Sequence, residues 1–203
     1  MENDFDGIAW CYDFIAKLIF GERLHRASIQ WLDTLNTSDK VMILGGGSGK
    51  ILKYLTHVEC IIFIEKSPKM IKLAKASAPE NVQFICADFL KHTIESESSH
   101  VVICPFFLDL FSPIQLGEVL NKIARILKKK GALFVSDFQY TTWWSKQLIK
   151  LMYALFGIST RIAARELAPL DTLILARAFE NSTYLVRTDG MIFSKAYTKI
   201  NKD

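Results

Sequence analysis

The residues best suited to chemistry gather in short segments that follow apolar runs. The first is Leu44-Gly-Gly-Gly-Ser-Gly49, which follows Val41-Met-Ile-Leu44 and precedes Lys50-Ile-Leu52. A strand that enters a glycine-rich turn lets a ligand approach the backbone closely. A helix after it would aim N–H groups at anionic parts of that ligand. Several ligand classes use such a turn, and spacing separates them. A nucleotide P-loop needs Gly-x-x-x-x-Gly-Lys-Ser/Thr. Gly49-Lys50 is present, but Leu44 stands at the first glycine position and Ile51 replaces the magnesium-binding hydroxyl. A Gly-x-Gly-x-x-Gly dinucleotide fingerprint, counted from Gly45, meets Lys50 at its third glycine. The actual spacing is Gly45-x-Gly47-x-Gly49. A tight connection that binds nothing could use the same glycines, so the ends of the next strands must decide.

The second segment is Ile64-Glu65, 20 residues past Gly45. A carboxylate there is placed to accept hydrogen bonds from a ribose diol; it could equally be an acid beside the helix start at Ser67-Pro68. The third is Cys86-Ala-Asp-Phe89. Asp88 can accept from an exocyclic amine, with Phe89 against the ring, or it can simply cap a helix. Successive strand ends of a parallel sheet fall on one rim, which is where ligands of such sheets bind.

The elements that must position these residues follow from periodicity. The runs 41–44, 60–64, 82–86, 101–104 and 132–135 are short and apolar throughout, as strands buried on both faces should be. Ser112-Pro113 opens a helix to Lys130, with Leu116, Val119, Leu120, Ile123, Ile126 and Leu127 on one face and Gly131 at its end in a left-handed conformation. Ser67-Pro68 opens another helix. Alternation of this kind implies an α/β, doubly wound, mostly parallel sheet. Asp189-Gly190, between the strand-like runs 183–187 and 191–195, signals an antiparallel hairpin. The chain reads as one domain, with N-terminal helices or a lid over 1–38, a core over 39–138, a helical insertion over 139–180 and a terminal hairpin over 181–203.

Composition agrees. Of 203 residues, 50% are hydrophobic, which excludes a disordered chain. The run Gln147–Ile158 is too short to span a bilayer and carries Lys150. The N-terminus lacks the pattern of a signal peptide, so a cytoplasmic protein is expected. The net charge of +4 is mild for a nucleic-acid binder, and Lys128-Lys129-Lys130 reads as a solvated helix end. Cys11, Cys60, Cys86 and Cys104 form no Cys-x-x-Cys pair. They are expected as free thiols, with no metal site.

With these segments in place, the sequence resembles the class I S-adenosylmethionine-dependent methyltransferases over nearly its whole length. Leu44–Gly49 matches that family's first motif, Ile64–Met70 its second, Cys86–Phe89 its adenine-side motif, Val102–Phe111 its fourth and Gly131–Asp137 its strand-five segment. The resemblance implies a seven-stranded sheet with one inserted antiparallel strand. It implies a cofactor site for S-adenosyl-L-methionine, leaving S-adenosyl-L-homocysteine as product. That site would be made by Gly45, Gly46, Gly47, Ser48, Gly49, Glu65, Lys66, Met70, Asp88, Phe89, Cys104, Pro105 and Phe106, with Tyr12 from the N-terminal helices. Two departures stand out. The family usually has an acid two residues before its first glycine, helping to organise the methionine amine; here that position is Ile43. The fourth motif, Cys104-Pro-Phe-Phe107, lacks the amide or acid of enzymes that methylate base amines, which speaks against a nucleic-acid substrate.

The layout is similar to small-molecule methyltransferases, including the ubiquinone/menaquinone group. It implies a small, apolar or aromatic acceptor bound among the N-terminal helices and the insertion, no stable membrane insertion, and a homodimer as one assembly. Because the sulfonium already activates the methyl group, transfer needs alignment and exclusion of water more than a fixed base. The candidate bases are Asp109, His92, Tyr140 and Asp137. A cofactor-binding partner protein without activity, favoured by Ile43, and a nicotinamide-dependent oxidoreductase are the alternatives.

Overall fold

The computed structural model describes residues 22–139, 169–181, 187–189 and 191–200. Five parallel strands form the centre: β1 (Lys40–Leu44), β2 (Cys60–Glu65), β3 (Val82–Cys86), β4 (Ser99–Pro105) and β5 (Leu127–Phe138). Three C-terminal segments follow: β6 (Phe179–Asn181), β7 (Arg187–Asp189) and β8 (Ile192–Lys199). The order is β3-β2-β1-β4-β5-β8, with β8 antiparallel to β5. Both β6 and β7 pair antiparallel with β8. Since β5 occupies the other edge of β8, the two share one outer position. The eight segments therefore fill seven strand positions, as expected from the sequence.

Helices cover both faces. Helix α3 (Pro113–Ile126) begins with a reciprocal cap: Ser112 Oγ accepts from Gln115 N, and the Gln115 side chain accepts from Ser112 N at 3.2 Å. Its Leu116, Val119, Leu120, Ile123 and Ile126 are fully buried. Each contributes about 1.5–3 kcal/mol as an upper bound. They share a core with Val102, Cys104, Leu133, Val135 and α4 (Leu170–Leu175). The opposite face packs α1 (Arg23–Ile29), α2 (Pro68–Lys75) and the turn Leu32–Thr34 against Val41, Ile43, Ile61, Phe63 and Phe134. Ser67 caps α2 by accepting from Met70 N at 3.2 Å.

Four details depart from the sequence expectation. No α-helix follows the glycine loop; a single 3-10 turn, Leu52–Tyr54, leads toward β2. Helix α3 stops at Ile126, and Lys128-Lys129-Lys130 belongs to the start of β5, where the register with β4 slips between Ser99 and Val101. The left-handed residue is Lys130 (φ 58°), not Gly131. Gly131 is glycine for another reason: a Cβ there would lie 2.9 Å from the carbonyl oxygens of His100 and Lys128. The C-terminal pairing is also longer than a simple hairpin: β7 and β8 pair at Asp189–Ile192, and β8 runs on to Lys199.

The N-terminal element is pinned to the sheet by hydroxyls. Ser136 Oγ and Ser194 Oγ both donate to Ala27 O, at 2.8 and 2.9 Å, and Trp31 Nε1 donates to Ser194 Oγ at 2.9 Å. On the other face, Asp171 of α4 accepts from Lys195 Nζ (2.5 Å) and Tyr197 Oη (2.8 Å) of β8. Burial works to raise the Asp171 pKa, but these two donors outweigh it and hold the carboxyl below the usual carboxylate range. Among the described residues no helix is long and apolar enough to cross a membrane, and Cys60, Cys86 and Cys104 are free thiols.

Candidate active site

The glycine loop leaves β1 with Gly45 N donating to Ile64 O at 2.9 Å, which holds it against the end of β2. Gly45, Gly47 and Gly49 have φ of 67°, 56° and 75°. This left-handed backbone explains the Gly-x-Gly-x-Gly spacing. The loop has two sides. Gly45 packs on the Phe107 ring, Gly46 on Phe63 and Gly49 on Ala74, each so closely that a Cβ would sit 2.3–2.7 Å from its neighbour. At Gly47 a Cβ would meet nothing within 4 Å, so this face of the backbone is open to a ligand. Ser48 beside it is half-buried.

Glu65, at the end of β2, faces this loop. Its Oε2 accepts from Gly47 N at 3.1 Å and its Oε1 from Ser67 N at 3.0 Å. Both oxygens keep a lone pair beyond these bonds. Lys66 is exposed and Met70 half-buried on α2. At the end of β3, Asp88 Oδ1 accepts from Leu90 N (3.1 Å), and Oδ2 pairs with Lys66 Nζ (3.1 Å). Asp88 thus shapes a turn and is tied to Lys66. Phe89 points into the core, edge-on to Phe107 at a centroid distance of 5.9 Å.

The ends of β4 and β5 make the other half of the rim. Cys104 is fully buried, and burial, with Asp137 beside it, pushes its thiol pKa up. Pro105 and Phe106 are half-buried. Phe106 has φ 53°, a conformation that costs a bulky residue about 1–3 kcal/mol. It is held there by its N–H to Ser136 O (2.7 Å) and by the Phe138 ring (5.1 Å). Asp137 is fully buried; its Oδ1 accepts from Phe138 N (2.9 Å) and its Oδ2 from Asp109 N (3.2 Å). Burial and then the Asp109 carboxylate push its pKa well above the ordinary range, against the pull of the backbone N–H groups of Phe138, Asp109 and Leu108.

The structure thus brings together the glycine loop, Glu65, Lys66 and Asp88 on one half of the rim, and Cys104, Pro105, Phe106, Asp109 and Asp137 on the other. His92 stands apart: its side chain lines a cavity of about 590 Å³ with Lys91, Glu118, Asn121, Lys122 and Arg125. Tyr12 and Tyr140 lie outside the described residues. Ile43 is fully buried beneath Gly46, so no polar side chain occupies that position. The carbonyl contacts of Lys122 at the Asp88 turn were not expected from the sequence. Its place in the polar interval of an amphipathic helix gave no sign of them.

Five parallel strands, an inserted antiparallel strand, and an open glycine turn facing an acid at the next strand end define the architecture. This is the class I methyltransferase fold. Residues 41–131 match the methyltransferase domain family. No curated protein matches the chain in sequence. Among solved structures, the methyltransferase fold recurs in a chain of the complex between the Haloferax volcanii Trm112 methyltransferase activator and a methyltransferase (15% identity, 99% of this chain, 100% of that one, TM-score 0.72). It recurs in a S-adenosylmethionine-dependent methyltransferase from Methanosarcina mazei (18%, 84% and 96%, 0.66). It recurs again in the N-methyltransferase NodS from Bradyrhizobium japonicum, solved with S-adenosyl-L-homocysteine (14%, 87% and 84%, 0.63).

Proposed function

We propose that the chain transfers a methyl group from S-adenosylmethionine to a small, apolar or aromatic acceptor in the cytoplasm. The observation that carries the reading is the open face of Gly47 beside the two free lone pairs of Glu65. A nucleoside can approach the backbone there, and its ribose hydroxyls can donate to the carboxylate. Gly45, Gly46, Gly47, Ser48 and Gly49 would form the floor. Asp88 and Lys66 would border the adenine, with Met70 on the α2 side, and Pro105 and Phe106 would border the methionine portion. The bound cofactor supplies a methyl group activated by its sulfonium.

What the chain must add is alignment and dryness. Phe106, Phe107 and Phe138 supply apolar surface at the ends of β4 and β5. Asp137, whose environment favours the protonated form, holds a proton, while Asp109 beside it is the candidate to accept one. The N-terminal residues 1–38 and the insertion 139–180 would complete the acceptor pocket, with Tyr12 and Tyr140 contributing from there. Calorimetry with S-adenosylmethionine and S-adenosylhomocysteine tests the reading: binding of either supports it, and binding of neither removes it. Stabilisation by NAD would instead favour an oxidoreductase.

Ile43 favours a second reading, a cofactor-binding partner protein without catalysis. Where the family usually has its acid, this chain buries an aliphatic residue. Cofactor binding with no methyl transfer across a panel of phenols, quinols and amines would support it.

A further inference from the structure

The turn after β3 is shaped from within by Asp88 and from outside by one lysine. The Asp88 carbonyl accepts the N–H groups of Lys91 and His92, each at 3.0 Å. The carbonyls of Phe89, Leu90 and His92 then converge on Lys122 Nζ, which reaches across from α3. The contacts to Leu90 O and His92 O are 3.2 and 2.5 Å. The same nitrogen lies 4.8 Å from the centre of the Phe89 ring.

An ammonium carries three N–H donors, and here three carbonyls of a single turn receive them. A neutral amine has only two, so the cradle favours the charged form. Burial, and then the repulsion of Arg125, lower the Lys122 pKa, and Asp88 offsets part of this. Neither a helix nor a strand ladder supplies partners for these three carbonyls; a side chain does. The turn so held begins at Asp88, which also pairs with Lys66.

We infer that Lys122 is a positioning residue of the cofactor site, fixing the Asp88–His92 turn so that Asp88 meets the adenine side of the cofactor. This rests on the S-adenosylmethionine reading given above. Lys122 itself touches no cofactor atom; it acts through the backbone of the turn.

The cavity of about 590 Å³ bordered by Leu90, His92 and Lys122 lies beside the cradle, so a small cation can be offered to it once the lysine side chain is removed. Affinity for S-adenosylhomocysteine is measured by calorimetry on the wild type, Lys122→Met, Lys122→Arg, and Lys122→Ala with and without ethylammonium. Arg125→Ala, on the same cavity wall, is the control. Lys122→Met is expected to bind at least about tenfold more weakly, since donors from a charged group are lost. Ethylammonium is expected to restore much of the affinity of Lys122→Ala and to leave the wild type unchanged. Arg125→Ala is expected to match the wild type.

Wild-type affinity in Lys122→Met overturns the inference. So does a loss in Lys122→Ala that ethylammonium leaves untouched, because that describes general destabilisation. If Lys122→Met does not fold, Lys122→Arg decides. It keeps the charge but cannot place three hydrogens on one nitrogen, so intermediate affinity is expected and undiminished affinity refutes the role. If the wild type binds neither cofactor form, the cofactor reading falls first and this inference with it.

Discussion

The two halves of the ligand rim treat their carboxylates in opposite ways. On the β1–β2–β3 half, Glu65 and Asp88 are partly exposed and tied to backbone N–H groups and to Lys66. On the β4–β5 half, Asp109 and Asp137 are buried, and burial and the Asp109 carboxylate disfavour the charge of Asp137. Hydrogen bonds to an ionised carboxylate favour its charge, whereas burial and a like neighbour oppose it. One half is therefore built to receive polar groups, and the other to hold a proton in a dry place. That division agrees with the reaction proposed above.

Substitutions in the glycine loop should disturb this contrast most. Gly46→Ala would place a Cβ 2.3 Å from the Phe63 ring and is expected to cost about 3 kcal/mol in denaturant unfolding. Gly47→Ala meets open space and should cost only about 1 kcal/mol, for its left-handed backbone. Its cofactor affinity should nevertheless fall more than its stability. Equal stability losses in the two variants would show that the loop has no open side.

The acid pair can be separated by pH. The folded chain binds the Asp137 proton more tightly than the unfolded chain does, because the folded pKa is raised. This contribution to stability is full below the ordinary carboxylate value of about 4 and is lost as pH rises toward the raised value. Asp109→Asn removes the repulsive neighbour and should flatten that decline. It should also slow methyl transfer while leaving cofactor affinity intact. Unchanged turnover would take Asp109 out of the mechanism.

The smallest effect is expected away from the rim. Asp171→Asn weakens the bond to Lys195, but Asp171 is about half exposed, so no more than about 0.5 kcal/mol is expected. The sign with pH is opposite to that of Asp137. The Asp171 pKa is lowered, so its contribution is present above about pH 4 and disappears as pH falls. Acid titrations of the two variants by thermal melting should therefore diverge in opposite directions from the wild type.

Much of this was legible in the chain. The five apolar runs marked β1 to β5, and Ser67-Pro68 and Ser112-Pro113 gave true helix starts because capping is a local event. Other features depend on neighbours distant in sequence. Gly131 looked like a helix stop, yet its reason is the carbonyl of His100 on the adjacent strand. The helix expected after Gly49 is a single turn, although Ile51, Leu52 and Leu55 have the right apolar spacing; all three are buried in the core beside α2. Asp137 read as one strand-end acid among several, and its raised pKa comes from Asp109, which reaches it from a different loop. The role of Lys122 depends on three carbonyls some thirty residues earlier, which no pattern of side chains encodes.

The outer border of the sheet carries a last consequence. A long, flat strand at a sheet margin is a template on which another chain can zip. Here the margin beyond β8 is divided between β6 and β7, each three residues long. From Asn181 to Arg187 the outer chain advances six positions while β8 advances three, from Tyr197 to Ser194, so the two ladders are out of phase. A stranger strand that matched one segment would be misaligned on the next. Neither described segment by itself offers the long, continuous ladder on which another strand could add.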